Sequence, residues 1–196
     1  MQFEEAGKFI LKRLNDELPD HLTYHSAKHT VNVYRSAEYI GKQEGISDYE
    51  MKMLLTAACF HDSGFLIRTR GHEEESCRIA REALPLYQYN AEEIERICGI
   101  IMATKLPQTP HNHLEKILAD ADLDYLGRED FFTIAHKLFL ENVSLGFIAD
   151  ENAWNQTQIC FIENHQYFTK TALNLRQAKK EANLGEIKAK INTSIK

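Results

Sequence analysis

The chain has little that would stiffen or interrupt it: four prolines and nine glycines in 196 residues. It has no Gly-rich loop of the kind that cradles phosphates, and no stretch sustains the apolar–polar alternation of a half-buried strand. No repeat and no linker-like composition divides it, so one domain over residues 1–196 is expected. The four cysteines (Cys59, Cys77, Cys98 and Cys160) form no CxxC pair. Each sits in an apolar helical context, which speaks against a disulfide framework and for reduced core thiols in a cytoplasmic protein. The longest apolar run, around Met53 to Phe60, is far too short to cross a bilayer. The opening Met1-Gln2-Phe3-Glu4-Glu5 lacks the basic and apolar regions of a signal peptide, so neither membrane nor secretion is expected. Positive charge is also short: 23 Lys and Arg against 29 Asp and Glu leave a net charge of -6. That argues against holding long nucleic acid by phosphate neutralisation. The basic tail from Arg176 to Lys196 reads as a solvated face, whereas the Arg68-Thr69-Arg70 loop lies closer to the candidate chemistry.

What is present is helical period throughout. Phe3, Ala6, Phe9-Ile10 and Leu14 form one stripe. Helices are predicted from Ala27 to Gln43, ended by Gly45, and from Asp48 to Phe60, capped by Ser47 or Asp48. Another runs from Glu73 to Leu84, before Pro85, and a fourth from Ala91 to Ala103, where Asn90 and Glu93 make a capping box. Then come Leu114 to Leu126, Asp130 to Leu145, Asn152 to His165, and a last helix from about 169 to 193. The fold class is all-α, with a core over about residues 20 to 175.

The chemistry is concentrated in three places. His61-Asp62 emerges from the apolar run that ends at Phe60. Neighbouring residues on a helix do not face each other, yet both can converge on an ion beside it. Imidazole suits transition metals, and carboxylate suits a hard divalent cation. Upstream, His25 and His29 lie four residues apart at the start of a helix, with Ser26 as a cap. Downstream, Asp120, Asp122 and Asp124 alternate with apolar residues, and a buried carboxylate requires a cation, donors or water.

The ordered set His29, His61-Asp62 and an Asp of the Asp120-Ala121-Asp122 pair resembles the HD superfamily of metal-dependent phosphohydrolases. Tyr24-His25-x-x-x-His29 is similar to the helix opening of cyclic-nucleotide phosphodiesterases. His72-Glu73-Glu74-Glu75-Ser76, Ile100-Ile101-Met102-Ala103-Thr104-Lys105 and Asp120-Ala121-Asp122-Leu123-Asp124-Tyr125-Leu126-Gly127 look like a bacterial branch of predicted HD phosphohydrolases. The likeness covers residues 20 to 175. It implies a compact helical bundle that holds a divalent metal ion (Mn, Mg, Fe, Co, Ni or Zn) on His29, His61, Asp62 and Asp122, with Asp120 fixing a ligand histidine from behind. His25 is then the acid for the leaving group, or a helix-cap histidine. Glu73 and His72 are pocket residues that orient water, or a solvated first turn. Thr104 stands where two-metal members carry a histidine, which speaks against a bridged pair of ions and against an oxygenase; Thr104, Lys105 and His72 become substrate-binding candidates. Asp124 is expected to face solvent or an intrahelical partner. The implied activity is hydrolysis of a small phosphate ester, a nucleotide first, as phosphomonoester or cyclic phosphodiester. A non-catalytic metal- or nucleotide-binding sensor is the alternative, and the oligomeric state, a homodimer included, stays open.

Overall fold

The computed structural model describes residues 1–194. Among them all regular structure is helical: α1 (Phe3–Glu17), α2 (Ala27–Gln43), α3 (Asp48–Phe60), α4 (His72–Ala83), α5 (Ala91–Met102), α6 (His113–Asp122), α7 (Phe131–Ser144), α8 (Glu151–Asn164) and α9 (Lys170–Ser194). Single 3₁₀ turns occupy Ser63–Leu66, Leu84–Tyr87 and Asp124–Gly127. No helix among the described residues is long and apolar enough to cross a membrane.

Helix α3 is the hub. Every residue from Met53 to Phe60 is buried, as a helix apolar on all sides must be, and it packs on α1, α2, α5 and α6. Ser47 and Glu50 form a reciprocal capping box at its start, which satisfies two otherwise unpaired backbone donors. Asn90 and Glu93 do the same for α5. The α1–α6 side encloses one apolar cluster, with Ile10, Met53, Phe60, Ile97, Ile101 and Ile117 among its fully buried members. A second cluster joins Tyr24, Leu126 and Phe131 to Ile162 and Ile187 of α8 and α9. The candidate site lies along the seam between the two.

The structure changes several readings. The helix expected from Leu114 to Leu126 stops at Asp122, because Leu123 leaves helical geometry and a 3₁₀ turn follows. That turn is pressed against α9: a Cβ on Gly127 would lie 2.4 Å from the Arg176 carbonyl oxygen. Asp124 does not face solvent; it is 3% exposed and accepts from Arg176 Nε at 2.6 Å. Asp120 does not support a histidine either. It accepts from the backbone N–H of Phe168 and Thr169 and from the Thr169 hydroxyl, at 2.8, 2.8 and 2.6 Å, so it ties α6 to the start of α9. Cys160 is an exposed thiol on α8, while Cys59, Cys77 and Cys98 are buried and free. Nor is the basic tail uniformly solvated: Lys180 is 4% exposed and donates to the His165 carbonyl at 2.7 Å.

Burial, and then the Lys180 ammonium, hold the His165 imidazole down at about 4. At this group the folded protein binds fewer protons than the unfolded chain between about pH 4 and 6.5, so the cost of His165 disappears as pH rises through that window, while Asp120, lifted to about 6, acts in the opposite sense. The difference in urea unfolding midpoint between the unmodified protein and His165→Gln is expected to shift in favour of the unmodified protein as pH rises from about 4 to 7.

Candidate metal centre

Three helix ends deliver the site. Ser26 caps α2 by accepting from the His29 N–H, which sets His29 in the first turn. His61 follows the last turn of α3, and Asp122 is the last residue of α6. The C-terminal ends of α3 and α6 thus point their unpaired carbonyls and partial negative charge toward one place. A carboxylate at such an end is unfavourable unless a positive charge answers it.

His29 Nε2, His61 Nε2 and one Asp122 carboxylate oxygen lie within 4.8 Å of one another. Asp122 Oδ1 is 3.1 Å from His29 Nε2 and 3.5 Å from His61 Nε2, and the two imidazole nitrogens are 3.4 Å apart. Asp62 Oδ2 adds contacts of 3.3 Å to His29 and 3.1 Å to His61, yet it is buried without a hydrogen-bond donor. His61 Nδ1 donates to the Ala58 carbonyl at 2.9 Å, so a neutral His61 turns the lone pair of Nε2 into the cluster.

Spacings of 3.1 to 3.5 Å between these donors match the edges of a coordination shell with metal–ligand bonds of ~2.1 Å. The electrostatics agree. Burial disfavours charge on both imidazoles, but Asp62 and Asp122 outweigh it and raise both. Burial likewise opposes the Asp122 carboxylate, but His29 and His61 hold it at about 2. Two imidazole nitrogens edge to edge repel if both carry protons. A divalent cation answers the carboxylates and leaves the imidazoles neutral, the form that ligates. The residues present fit such an ion.

A second layer surrounds the cluster. His72 Nε2 lies 3.5 Å from Asp62 Oδ1 and 3.6 Å from Glu73 Oε1, while its Nδ1 donates to the Thr69 carbonyl at 3.0 Å. Phe65 stacks on His25 and on His72, ring centroids 4.1 Å apart in each case. His25 Nδ1 is paired with Glu141 of α7, whose other oxygen accepts from the backbone N–H of Tyr24 and His25 at 2.8 and 3.0 Å. Burial would push the Glu141 carboxyl up; these donors keep it below its ordinary range.

The structure thus brings together His25, His29, His61, Asp62, His72, Glu73 and Asp122. It does not bring Thr104 or Lys105 to them. The Thr104 hydroxyl donates to the Ile101 carbonyl at 2.8 Å, closing α5, and Lys105 pairs with Glu74 on the surface. In the basic loop, Arg68 pairs with Glu75 and Arg70 lies over Phe147. Glu141 was missed in the sequence. Its signal was an acid at the apolar spacing of α7, seven residues after Ile134 and three after Leu138.

No family model matches the sequence. A stretch of 76 residues is 36% identical to an uncharacterized protein of Clostridium beijerinckii, covering 37% of this chain and 48% of that protein. Solved structures match over nearly the whole chain. A predicted HD superfamily hydrolase from an uncultured Thermotogales bacterium aligns with a TM-score of 0.60 at 19% identity, over 98% of this chain and 90% of that one. A Lactobacillus plantarum protein aligns at 0.69 and 18%, over 98% and 97%. Bacillus subtilis YpgQ, solved in complex with ADP, aligns at 0.65 and 21%, over 96% and 95%.

Gly64 sits where the 3₁₀ turn after Asp62 meets α4, and an added Cβ would lie 1.9 Å from the His72 carbonyl oxygen. Gly64→Ala is therefore expected to push back the start of α4 with His72 and Glu73, at a cost of about 1–3 kcal/mol, measured by urea unfolding. The helical bundle, with His29, His61-Asp62 and Asp122 meeting at its seam, has the HD-superfamily fold.

Proposed function

We propose that this protein is a metal-dependent phosphohydrolase acting on a phosphate ester of a small molecule, a nucleotide first among them. The observation that carries the reading is the convergence of His29, His61 and Asp122, with Asp62 Oδ2 buried beside them and lacking a donor. The structural neighbour solved with ADP supports a nucleotide as the first substrate to try.

In this reading His29, His61, Asp62 and Asp122 hold the ion. Bound there, a divalent cation supplies Lewis acidity: it lowers the pKa of water from about 15.7 toward 7 and draws charge from a phosphoryl oxygen. The chain's own groups do the rest. His72 and Glu73, beside the second oxygen of Asp62, orient the attacking water and take up its proton. The water oxygen forms the new P–O bond as the ester P–O bond breaks. The departing alkoxide needs a proton, and His25 is placed to give it. With Nδ1 held by Glu141, its Nε2 is left to donate, and the buried carboxylate fixes the orientation of the ring. Phe65 stacks on both the His25 and the His72 ring, which themselves lie 6.1 Å apart, and so helps hold acid and water-orienting group in place.

Metal content, followed by a phosphate-ester and nucleotide panel with Mn²⁺, Mg²⁺, Co²⁺ and Ni²⁺, tests the reading. Bound ion with metal-dependent phosphate release supports it. Bound ion with no turnover of any ester favours a sensor module, and no ion after reconstitution overturns the site. Asp62→Ala is expected to lose the metal. His25→Ala is expected to keep it and to slow hydrolysis of alkyl esters by roughly 10²–10⁴. The loss should be much smaller for p-nitrophenyl esters, whose leaving group needs no proton.

A further inference from the structure

Beside the metal cluster a cleft opens between the outer face of α2 and the chain from Asp124 into α7. His29 and Asp122 are in its wall, with Lys28, Asn32, Arg128 and Lys137 beyond them. A second cleft continues it past Arg35, Tyr39 and Arg176, sharing Asn32, Ser36, Asp124 and Arg128 with the first. Together they make one groove that starts at the cluster and runs along α2. Lys28, Asn32 and Arg35 stand at i, i+4 and i+7, a single stripe of that helix, next to the stripe of Val33, Ala37 and Ile40 that enters the core.

The charge in this groove is unevenly compensated. Of the three carboxylates that line it, Asp130 is bound by Arg128 and Asp124 by Arg176; the third, Asp122, belongs to the metal cluster. Lys28, Arg35 and Lys137 are exposed and form no ion pair among the described residues. Elsewhere many exposed cations, such as Lys12, Lys42, Arg78, Arg81 and Lys105, are paired with acids. Lys52 and Lys170 are exposed without an ion pair among the described residues as well, but neither lines the groove. A protein with a net charge of -6 thus keeps three unpaired cations along a groove that leads to its candidate ion. From His29 to Arg35 is six residues of helix, ~9 Å at ~1.5 Å per residue.

We infer that the groove along α2, which runs ~9 Å along the helix axis from His29 to Arg35, receives a second anionic group of the substrate beyond the phosphorus under attack. The preferred substrate is therefore a nucleotide phosphorylated at more than one position rather than a nucleoside monophosphate. The inference rests on the proposed phosphohydrolase reading for the first phosphate; the groove cations supply recognition of the second. Asn32 and Ser36 between them donate to the bridging portion, and Tyr39, 48% exposed at the far end, offers a face to a base.

Calorimetric titration of the Mn²⁺-loaded protein with adenosine 3′,5′-bisphosphate and with adenosine 5′-monophosphate tests it. The bisphosphate is expected to bind at least about tenfold tighter, an advantage that shrinks as salt screens it. Arg35→Gln, and the double variant Lys28→Gln with Lys137→Gln, are expected to cut that advantage to less than about threefold, with metal content and helicity as controls. Lys52→Gln, an exposed cation outside the groove, is expected to preserve it. Equal affinity for the two nucleotides in the unmodified protein, or a preference that survives both groove variants, would overturn the groove assignment whatever the turnover. A bisphosphate preference without hydrolysis of any ester would leave the groove standing and defeat the phosphohydrolase reading. Binding of neither nucleotide would overturn both.

Discussion

Two carboxylates, Asp62 and Asp122, are held against two imidazoles where α3 and α6 end, in a place from which water is largely removed. Little in that arrangement is stable by itself. Helix C-termini oppose negative charge, burial opposes charge of either sign, and a neutral His61, its Nδ1–H given to Ala58, has no proton to offer Asp62 Oδ2. Each component is tolerable only if a cation balances the set. The rest of the site follows from that constraint: His61 must turn its lone pair inward, the second oxygen of Asp62 must find His72, and the neighbouring acid Glu141 must be covered by donors.

The fold meets the constraint by building the site on rigid elements and bracing them from outside. Helix α3 is locked by burial along Met53 to Phe60, so His61 and Asp62 emerge from the stiffest part of the molecule. Helix α6 is anchored from behind by Asp120, which holds the start of α9, and the turn after it by the Asp124–Arg176 pair. Alternate acids in one short segment therefore serve opposite purposes. Asp120 and Asp124 fasten α6 and its following turn to α9, while Asp122 is left for the cluster. Burial lifts the Asp120 carboxyl to about 6 even against its three donors, a sign of how dry this joint is.

The groove along α2 extends the same division of labour to the surface. One stripe of that helix enters the core, one presents His29 to the cluster, and the next carries Lys28, Asn32 and Arg35 past it. A single helix thereby couples the position of the candidate ion to recognition of whatever lies beyond it, without a flexible loop between them.

Most of the helices and their caps were legible in the sequence because they are set by local periodicity and by backbone donors satisfied within three or four residues. The His, His-Asp, Asp order was legible because polar residues in apolar runs demand partners. Which partner each one takes was not legible. The duty of Asp120 toward Thr169, the burial of Asp124 and Lys180, and the grip of Glu141 on His25 all depend on α7 and α9 meeting distant parts of the chain. Those contacts join residues about 15 to more than 100 positions apart. An alternating run of acids looks the same whether its members face an ion, a helix start or an arginine. By itself the sequence determined an all-α chain with an ion-demanding set of side chains. Only the tertiary structure decided which side chains meet, because a buried charge is paired by whatever the distant chain brings to it.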